Sequence, residues 1–391
     1  MNTIAPVTAS LLDFPPPHYA PLGGTPNRIA ILRLLRQKPG TSRIDISEKL
    51  GIVPPTISME VKIMIGQGLV YEVGTVKAGR GRPKTRLAIS EEVAVCGVEI
   101  SAKGVTAALV DLQGRVLALE RTYYSPRLAN LTPVLRRLIR ESHARVSRIE
   151  AVGVALGENL CAPEGCLWDS RCITPAELKA ELEMGTGLPV EIETEMRAMM
   201  IGETIFGALD DVESSAIVDV SDTIRAVMVS KGNLYSGTTR IGEISHLVID
   251  PNGPPCPCGQ RGCLGAVASS RAVLENYRRL ARGGASLIGI SDFYRLVAKG
   301  GTLAVSVFQL QAEALARACR ALSQMTASQA ILLTGPIVDF WSVTGPRLME
   351  AIREVSGNSK VVDIRHNSHP EQMRILGAAA VALSRAESRW P

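Results

Sequence analysis

The sequence predicts an α/β protein in which a small winged helix-turn-helix precedes a longer mixed part carrying a structural zinc loop. Three observations point there: a basic stretch of helical periodicity between residues 27 and 90, apolar strands alternating with helices from about residue 93, and one imidazole with three thiols inside eighteen residues, His246 followed by Cys256-Pro-Cys258-Gly-Gln-Arg-Gly-Cys263. The 391 residues are 46% hydrophobic and 21% charged, ordinary for a globular chain and enough for two or three domains. No apolar run approaches the roughly 18 to 20 residues a membrane span needs, and residues 1–26 hold no Lys or Arg for a signal-peptide start. A cytoplasmic protein with no membrane partner is expected. Of eight cysteines, three sit in the metal loop, and the remaining Cys96, Cys161, Cys166, Cys172 and Cys319 are odd in number, which favours reduced thiols.

Charge is unevenly spread. Residues 27–90 carry twelve Lys/Arg against four Asp/Glu, while residues 91–391 are slightly acidic. A polyanion partner is therefore expected for the first segment only.

Residues 1–26 are rich in proline and lack periodicity, so a flexible arm is expected. From Asn27, Ile29, Leu32 and Leu35 recur at helical spacing with Arg28, Arg33 and Arg36 between them, and Pro39-Gly40 ends this first helix. Ser42 with Asp45 three residues on reads as the start of a second helix burying Ile46 and Leu50, and Gly51 as its turn. Pro54 and Pro55 are tolerated only in the first turn of the next helix, which buries Ile57, Val61 and Ile65 and presents Thr56, Ser58, Met59 and Lys62. That third helix is the expected recognition helix. Leu69–Val73 and Arg86–Ile89 then pair as a winged hairpin, whose tip packs Lys77, Arg80, Arg82 and Lys84 among small residues, a thin cationic probe suited to a narrow minor groove. The residues expected to touch double-stranded DNA are Arg43, Thr56, Ser58, Lys62, Arg80 and Arg82. The alternative is a three-helix interaction module with a solvated basic loop.

The longer part, residues 91–391, opens with apolar strands at 93–100, 105–110 and 116–119, then a helix at 131–142 and a strand at 151–155. A second α/β lobe follows, with strands at 216–220 and 331–334, a long helix near 304–325 and a closing helix near 377–386. Between them lies the metal loop. His246, Cys256, Cys258 and Cys263 form a complete tetrahedral set for one Zn²⁺, and with four protein ligands no position stays open for a catalytic water, so the zinc is structural. A reduced cysteine cluster beside a surface histidine is the alternative.

The order of winged helix, Gly-Arg-Gly-Arg-Pro wing, Gly242-Glu243-Ile-Ser-His246, Cys-x-Cys-Gly-x-x-Gly-Cys and Gly377-Ala-Ala-Ala resembles the ROK family of sugar repressors and sugar kinases, over about residues 27–388. The resemblance implies an actin/hexokinase-like pair of lobes with a sugar site in the cleft, and a regulator, most simply a repressor, that binds operator DNA as a homodimer or homotetramer. It implies that Glu243 and His246 recognise sugar hydroxyls. The kinase positions are altered: the phosphate loop reads Glu99-Ile-Ser-Ala-Lys103, the catalytic Asp-containing run reads Thr194-Glu195-Met196-Arg197, and the second phosphate-binding Gly-Gly reads Thr334-Gly335. No enzyme activity, and hence no catalytic residue, is expected. The family's next sugar-binding glutamate is Gly265 here, and its Pro-Gly loop reads Gly157-Glu-Asn-Leu-Cys-Ala162. The effector positions are then Glu195, Arg197, Glu243 and His246, and the ligand a sugar or, if Arg197 and Arg240 face the cleft, a sugar phosphate or sugar acid. For Arg197 the other partners in reach are Glu193, Glu195 and Glu203. A sugar kinase with an added domain, and a ligand-independent regulator controlled by a protein partner, are the competing functions.

Overall fold

The structure is a computed structural model that describes residues 26–76, 83–101, 104–123, 131–142, 145–157, 173–235, 242–281, 289–357, 361–367, 369–387 and 389–390. The N-terminal arm up to residue 25, the wing tip with Lys77, Arg80 and Arg82, Ala102 and Lys103, the run 158–162, Arg240, and Cys161, Cys166 and Cys172 lie outside the described residues. Two compact units form, one from the residues up to Asp210 together with those from Glu371 onward, the other from Asp211–Pro370.

The first unit begins with the helices α1 (Pro26–Gln37), α2 (Arg43–Leu50) and α3 (Pro54–Gly66) and the antiparallel strands β1 (Val70–Val76) and β2 (Lys84–Ile89). Local chemistry sets each boundary. Ser42 and Asp45 make the reciprocal capping box that starts α2, and Gly51 closes it in the left-handed conformation at φ 65°. Pro54 and Pro55 occupy the first turn of α3, where a missing N–H costs nothing. Ile31, Leu32, Ile46, Ile57, Val61, Met64, Leu69 and Leu87 close a small core. The inward face of α3 differs from expectation: Met64 is fully buried and Ile65 only half-buried, because the face also includes Glu60. Glu60 is buried against Arg28, with Nε to Oε2 at 2.8 Å.

Three further strands, β3 (Val93–Ser101), β4 (Gly104–Asp111) and β5 (Val116–Tyr123), form an antiparallel meander, to which β6 (Arg148–Leu156) and β7 (Val190–Thr194) add in parallel, giving the order β5-β4-β3-β6-β7. The helices α4 (Leu131–Ser142), α5 (Pro175–Thr186) and α6 (Glu195–Phe206) belong to the same unit. In the second unit, β8 (Ser215–Val220), β9 (Ile224–Ser230) and β10 (Asn233–Leu234) are followed by α7 (Leu264–Ala268), α8 (Ser270–Leu280), α9 (Ile290–Ala298) and α10 (Thr302–Thr326), then β11 (Ala330–Thr334), α11 (Trp341–Ser356) and β12 (Asp363–His366). Its sheet runs β10-β9-β8-β11-β12, with β8, β11 and β12 parallel. The core of this unit lies around Phe293, Tyr294 and Phe308 beside β8 and β11. Cys96 and Cys319 are unpaired and fully buried, and burial pushes both thiols up to about 12. Among the described residues no helix is long and apolar enough to cross a membrane.

The chain then returns to the first unit as α12 (Pro370–Glu387), starting seven residues before the expected closing helix. Its middle, Gly377-Ala-Ala-Ala380, is buried. The reason for such small residues is backbone contact on several sides. A Cβ on Gly97 of β3 would stand 2.7 Å from the amide nitrogen of Ala379, one on Gly202 of α6 would stand 2.8 Å from Cα of Gly377, and one on Gly153 of β6 would run into the carbonyl of Ala378. Gly97→Ala should therefore cost about 1–3 kcal/mol or more through overpacking, whereas Gly66→Ala, in open space at the end of α3, should be neutral or gain up to about 1 kcal/mol. Denaturant unfolding of both variants checks this, and equal effects would contradict the packing described.

Candidate metal centre and recognition helix

The metal loop is built by backbone geometry before any ligand is considered. A short 3-10 turn, Ile244–His246, follows Gly242, and Ser245 anchors it: the buried hydroxyl accepts from the Ile224 N–H at 2.7 Å and donates to the Ile224 carbonyl at 3.0 Å. Val248 pairs with Cys263 and Pro255 with Arg261, so residues 255–261 form a miniature hairpin that carries Cys256 and Cys258, with Cys263 two residues beyond it. Gly262 closes it at φ 65°, where any side chain would also meet the Asp250 carbonyl. Cys263 then starts α7, whose Gly265 packs so closely that a Cβ would come 3.0 Å from Cβ of Ser245.

These constraints bring together all four ligands expected from the spacing. The donor atoms of His246, Cys256, Cys258 and Cys263 lie within 4.8 Å of one another. Cys256 Sγ stands 3.4 Å from His246 Nδ1, and Cys258 Sγ 3.6 Å from Cys263 Sγ. A tetrahedron with metal–sulfur bonds of about 2.3 Å has edges of about 3.8 Å, so the set fits one metal ion. The thiols differ electrostatically: the Gln260 N–H, aided by Cys256 and Cys263, pulls Cys258 down to about 7, while burial pushes Cys263 up to about 12. A coordinated cation favours the thiolate at every position. With Nδ1 toward the cluster, the opposite ring nitrogen of His246 faces Glu243, Nε2 to Oε1 being 3.7 Å.

The other effector positions belong to the first unit. Arg197 donates from Nε to Glu193 at 2.7 Å, the ion pair that the sequence offered as its alternative partner. Glu195, at the start of α6, is met by Arg374 from α12, Nε to Oε1 at 3.1 Å, and the same guanidinium lies 4.0 Å from Glu99. Burial raises the Glu99 carboxyl above its usual range, with Arg374 pulling the other way. Sequence reasoning missed Arg374, whose two acidic partners stand far from it in the chain and leave no local signal. In the second unit, Arg225 pairs with Asp219 at 3.1 Å across the β8–β9 turn, Ser221 donates to the same carboxylate, and Gly335 closes against the Val220 carbonyl, where a Cβ would stand 2.6 Å away.

On α3, Ser58, Met59 and Lys62 are exposed and Thr56 is half-buried. Arg43, at the start of α2, donates to Glu72 of β1 at 2.8 Å, and Lys84 of β2 pairs with Asp45 at 2.7 Å, which lowers the Asp45 carboxyl. Two cations counted in the basic excess, Arg28 and Arg36, are internal: the first pairs with Glu60, and the second donates from Nε to the Leu112 carbonyl at 2.7 Å, lies over the Phe206 ring at 5.4 Å and faces Glu387 at 3.7 Å. The charge offered to a polyanion is correspondingly smaller than the residue count.

A helix-turn-helix head joined to two α/β sheets, with a three-cysteine, one-histidine loop, defines a class in which a DNA-type recognition module is fused to a sugar-kinase-like fold. The ROK family model matches residues 95–385, so the chain belongs to the ROK family, and residues 25–72 match the model described as bacterial regulatory protein, arsR family. Similar curated proteins include the xylose repressor of Bacillus subtilis (strain 168), 27% identical over 64% of this chain and 67% of that protein, and the DNA-binding transcriptional repressor Mlc of Escherichia coli (strain K12), 25% identical over 91% and 92%. Among solved structures, a ROK family transcriptional regulator described as a homologue of E. coli Mlc superposes with a TM-score of 0.72 at 26% identity, covering 93% of this chain and 96% of that one. The ROK hexokinase of Thermus thermophilus shares the fold, with a TM-score of 0.61 at 24% identity over 74% and 97% of the two chains. The expected actin/hexokinase-like architecture is thus borne out.

Removing the Ser245 hydroxyl strands the Ile224 N–H in the interior. Ser245→Ala should cost about 1–3 kcal/mol and weaken metal retention, read by denaturant unfolding and by competition with a chromogenic chelator; unchanged retention would show that the anchor is dispensable.

Proposed function

We propose that this chain is a cytoplasmic, zinc-containing transcriptional repressor that reads operator DNA through α3 and has no kinase activity. The observation that carries the reading is the exposed face of α3, Ser58, Met59 and Lys62, set in a capped helix-turn-helix ahead of a ROK domain. Thr56 and Ser58 would read base edges, Lys62 and Arg43 phosphates, and Arg80 and Arg82 a minor groove. The names of the xylose repressor and Mlc, each similar to this chain, support repression as the outcome of binding. A homodimer or homotetramer matches the two-fold symmetry of operators.

Against phosphoryl transfer stands the engagement of Glu195. A general base must be placed to take the proton of the attacking hydroxyl, whereas the Glu195 carboxylate lies against the Arg374 guanidinium. Zinc is the metal best suited to three thiolates and an imidazole, and with its sphere closed it would act as a staple rather than a Lewis acid. The effector we infer is a sugar or sugar derivative contacting Glu243 and His246, with domain organisation 27–90 for DNA and 91–391 for sensing and assembly. Differential affinity of that effector for the DNA-bound and free forms would supply control.

Lys62→Ala should weaken binding to all duplexes and reduce the salt slope by about one, whereas Ser58→Ala should change which duplex is preferred, as read by selection from a random pool and titration at several salt concentrations. Equal binding by all three proteins would remove α3 from the interface. Metal analysis should find one zinc per chain in the wild type and none in Cys258→Ala or Cys263→Ala. Zinc retained in both would sink the ligand assignment. Any ATP-dependent phosphorylation of a sugar would restore the kinase reading.

A further inference from the structure

The first unit contains one helix that touches both the altered kinase position and the recognition head. Near its start, Arg374 lies between Glu195 and Glu99; at its last residue, Glu387 faces Arg36 of α1. The thirteen steps along the helix from one to the other span about 20 Å at 1.5 Å per residue. Along that length α12 has little room to bend or slide by itself, because backbone atoms of Gly377, Ala378 and Ala379 abut α6, β6 and β3 at positions where no Cβ fits.

We propose that α12 is a transmission rod: a change in charge balance at the Glu99–Glu195–Arg374 end alters the hold on the DNA-reading head at the Arg36–Glu387 end, making Arg36, Arg374 and Glu387 positioning residues for operator binding. This rests on the DNA-binding function proposed above. The far end is suited to a switch rather than to stability. Arg36 and Glu387 are both almost wholly buried yet 3.7 Å apart, and a buried pair of that kind returns little net energy while fixing one arrangement of the groups around it. Arg36 also contacts the Leu112 carbonyl and the Phe206 ring, so it joins α1 to three further elements of the unit. At the near end two carboxylates share one guanidinium, and an effector that engages either carboxylate or the arginine changes the balance directly. An effector acting at this position need not reach the head.

A double-mutant cycle on the full chain tests the rod. Sites this far apart without shared partners normally act additively. The Glu99–Glu195 end is altered by Arg374→Met, and the head end by the paired change Arg36→Met with Glu387→Leu, which swaps the buried charges for apolar groups and should keep the thermal transition. Amide exchange of α1–α3 is measured without DNA. Arg374→Met should speed exchange in the head about tenfold in the wild-type background and less than twofold when the buried pair is gone, and Arg374→Lys should return it toward wild type. No effect of Arg374→Met on the head, or the same factor in both backgrounds, overturns the proposal. Repeating the cycle with a duplex selected by the wild-type protein separates the two readings. Coupled exchange without salt-dependent duplex binding would refute DNA reading and leave the rod standing, whereas normal duplex binding with additive exchange would refute the rod alone.

Discussion

The contact on which the first unit depends is the close approach of α12 to β3, β6 and α6 through backbone rather than side chains. Gly97, Gly153 and Gly202 supply flat surfaces, and Gly377 with the alanines after it supplies the matching edge. Dispersion between packed backbones is small for each atom and large in sum, and it vanishes if the surfaces separate by a fraction of an ångström. The helix α12 is therefore as much a part of this unit as the strands β3 and β6, more than 200 residues before it in the chain. The head, the altered kinase position and the last helix all take their places from that fit.

The metal loop obeys a different economy. Its hairpin, its left-handed Gly262 and the Ser245 anchor are held by hydrogen bonds among backbone groups, so the four donor atoms are already within reach of one another. Preorganised ligands bind a metal more tightly than ligands that must be gathered, because less conformational entropy is lost on binding. Glu243, placed against the other face of the His246 imidazole, makes the same residue answer to the metal on one side and to a carboxylate on the other.

Much of this was legible in the sequence because it is local. Capping by Ser42 and Asp45, the proline start of α3, the β1–β2 hairpin and the ligand spacing of the cysteines each depend on residues a few positions apart, and all appear as read. What the sequence concealed are pairings across long separations. Arg28 and Arg36 read as cations interleaved with the apolar positions of α1, yet their partners are Glu60 on another helix and Glu387 of α12. Arg374 was hidden for the same reason, because nothing near it in sequence announces Glu99 or Glu195. Periodicity reports which face of a helix turns inward; it does not report which charge waits there.

The head's attachment bears on how such proteins can be recombined. Besides Arg36, the head is tied down by Gln37 to the Asp210 carboxylate at 3.0 Å, by Arg148 to the Gln67 carbonyl at 3.0 Å, and by a connection of only three residues between β2 and β3. A fragment cut after residue 90 would carry a guanidinium shaped for burial and leave it in water, while the remainder would keep a buried carboxylate with no counterion. The recognition head is thus not a cassette that evolution or an engineer can exchange freely: grafting it onto another regulator calls for transferring the acceptor on α12 as well.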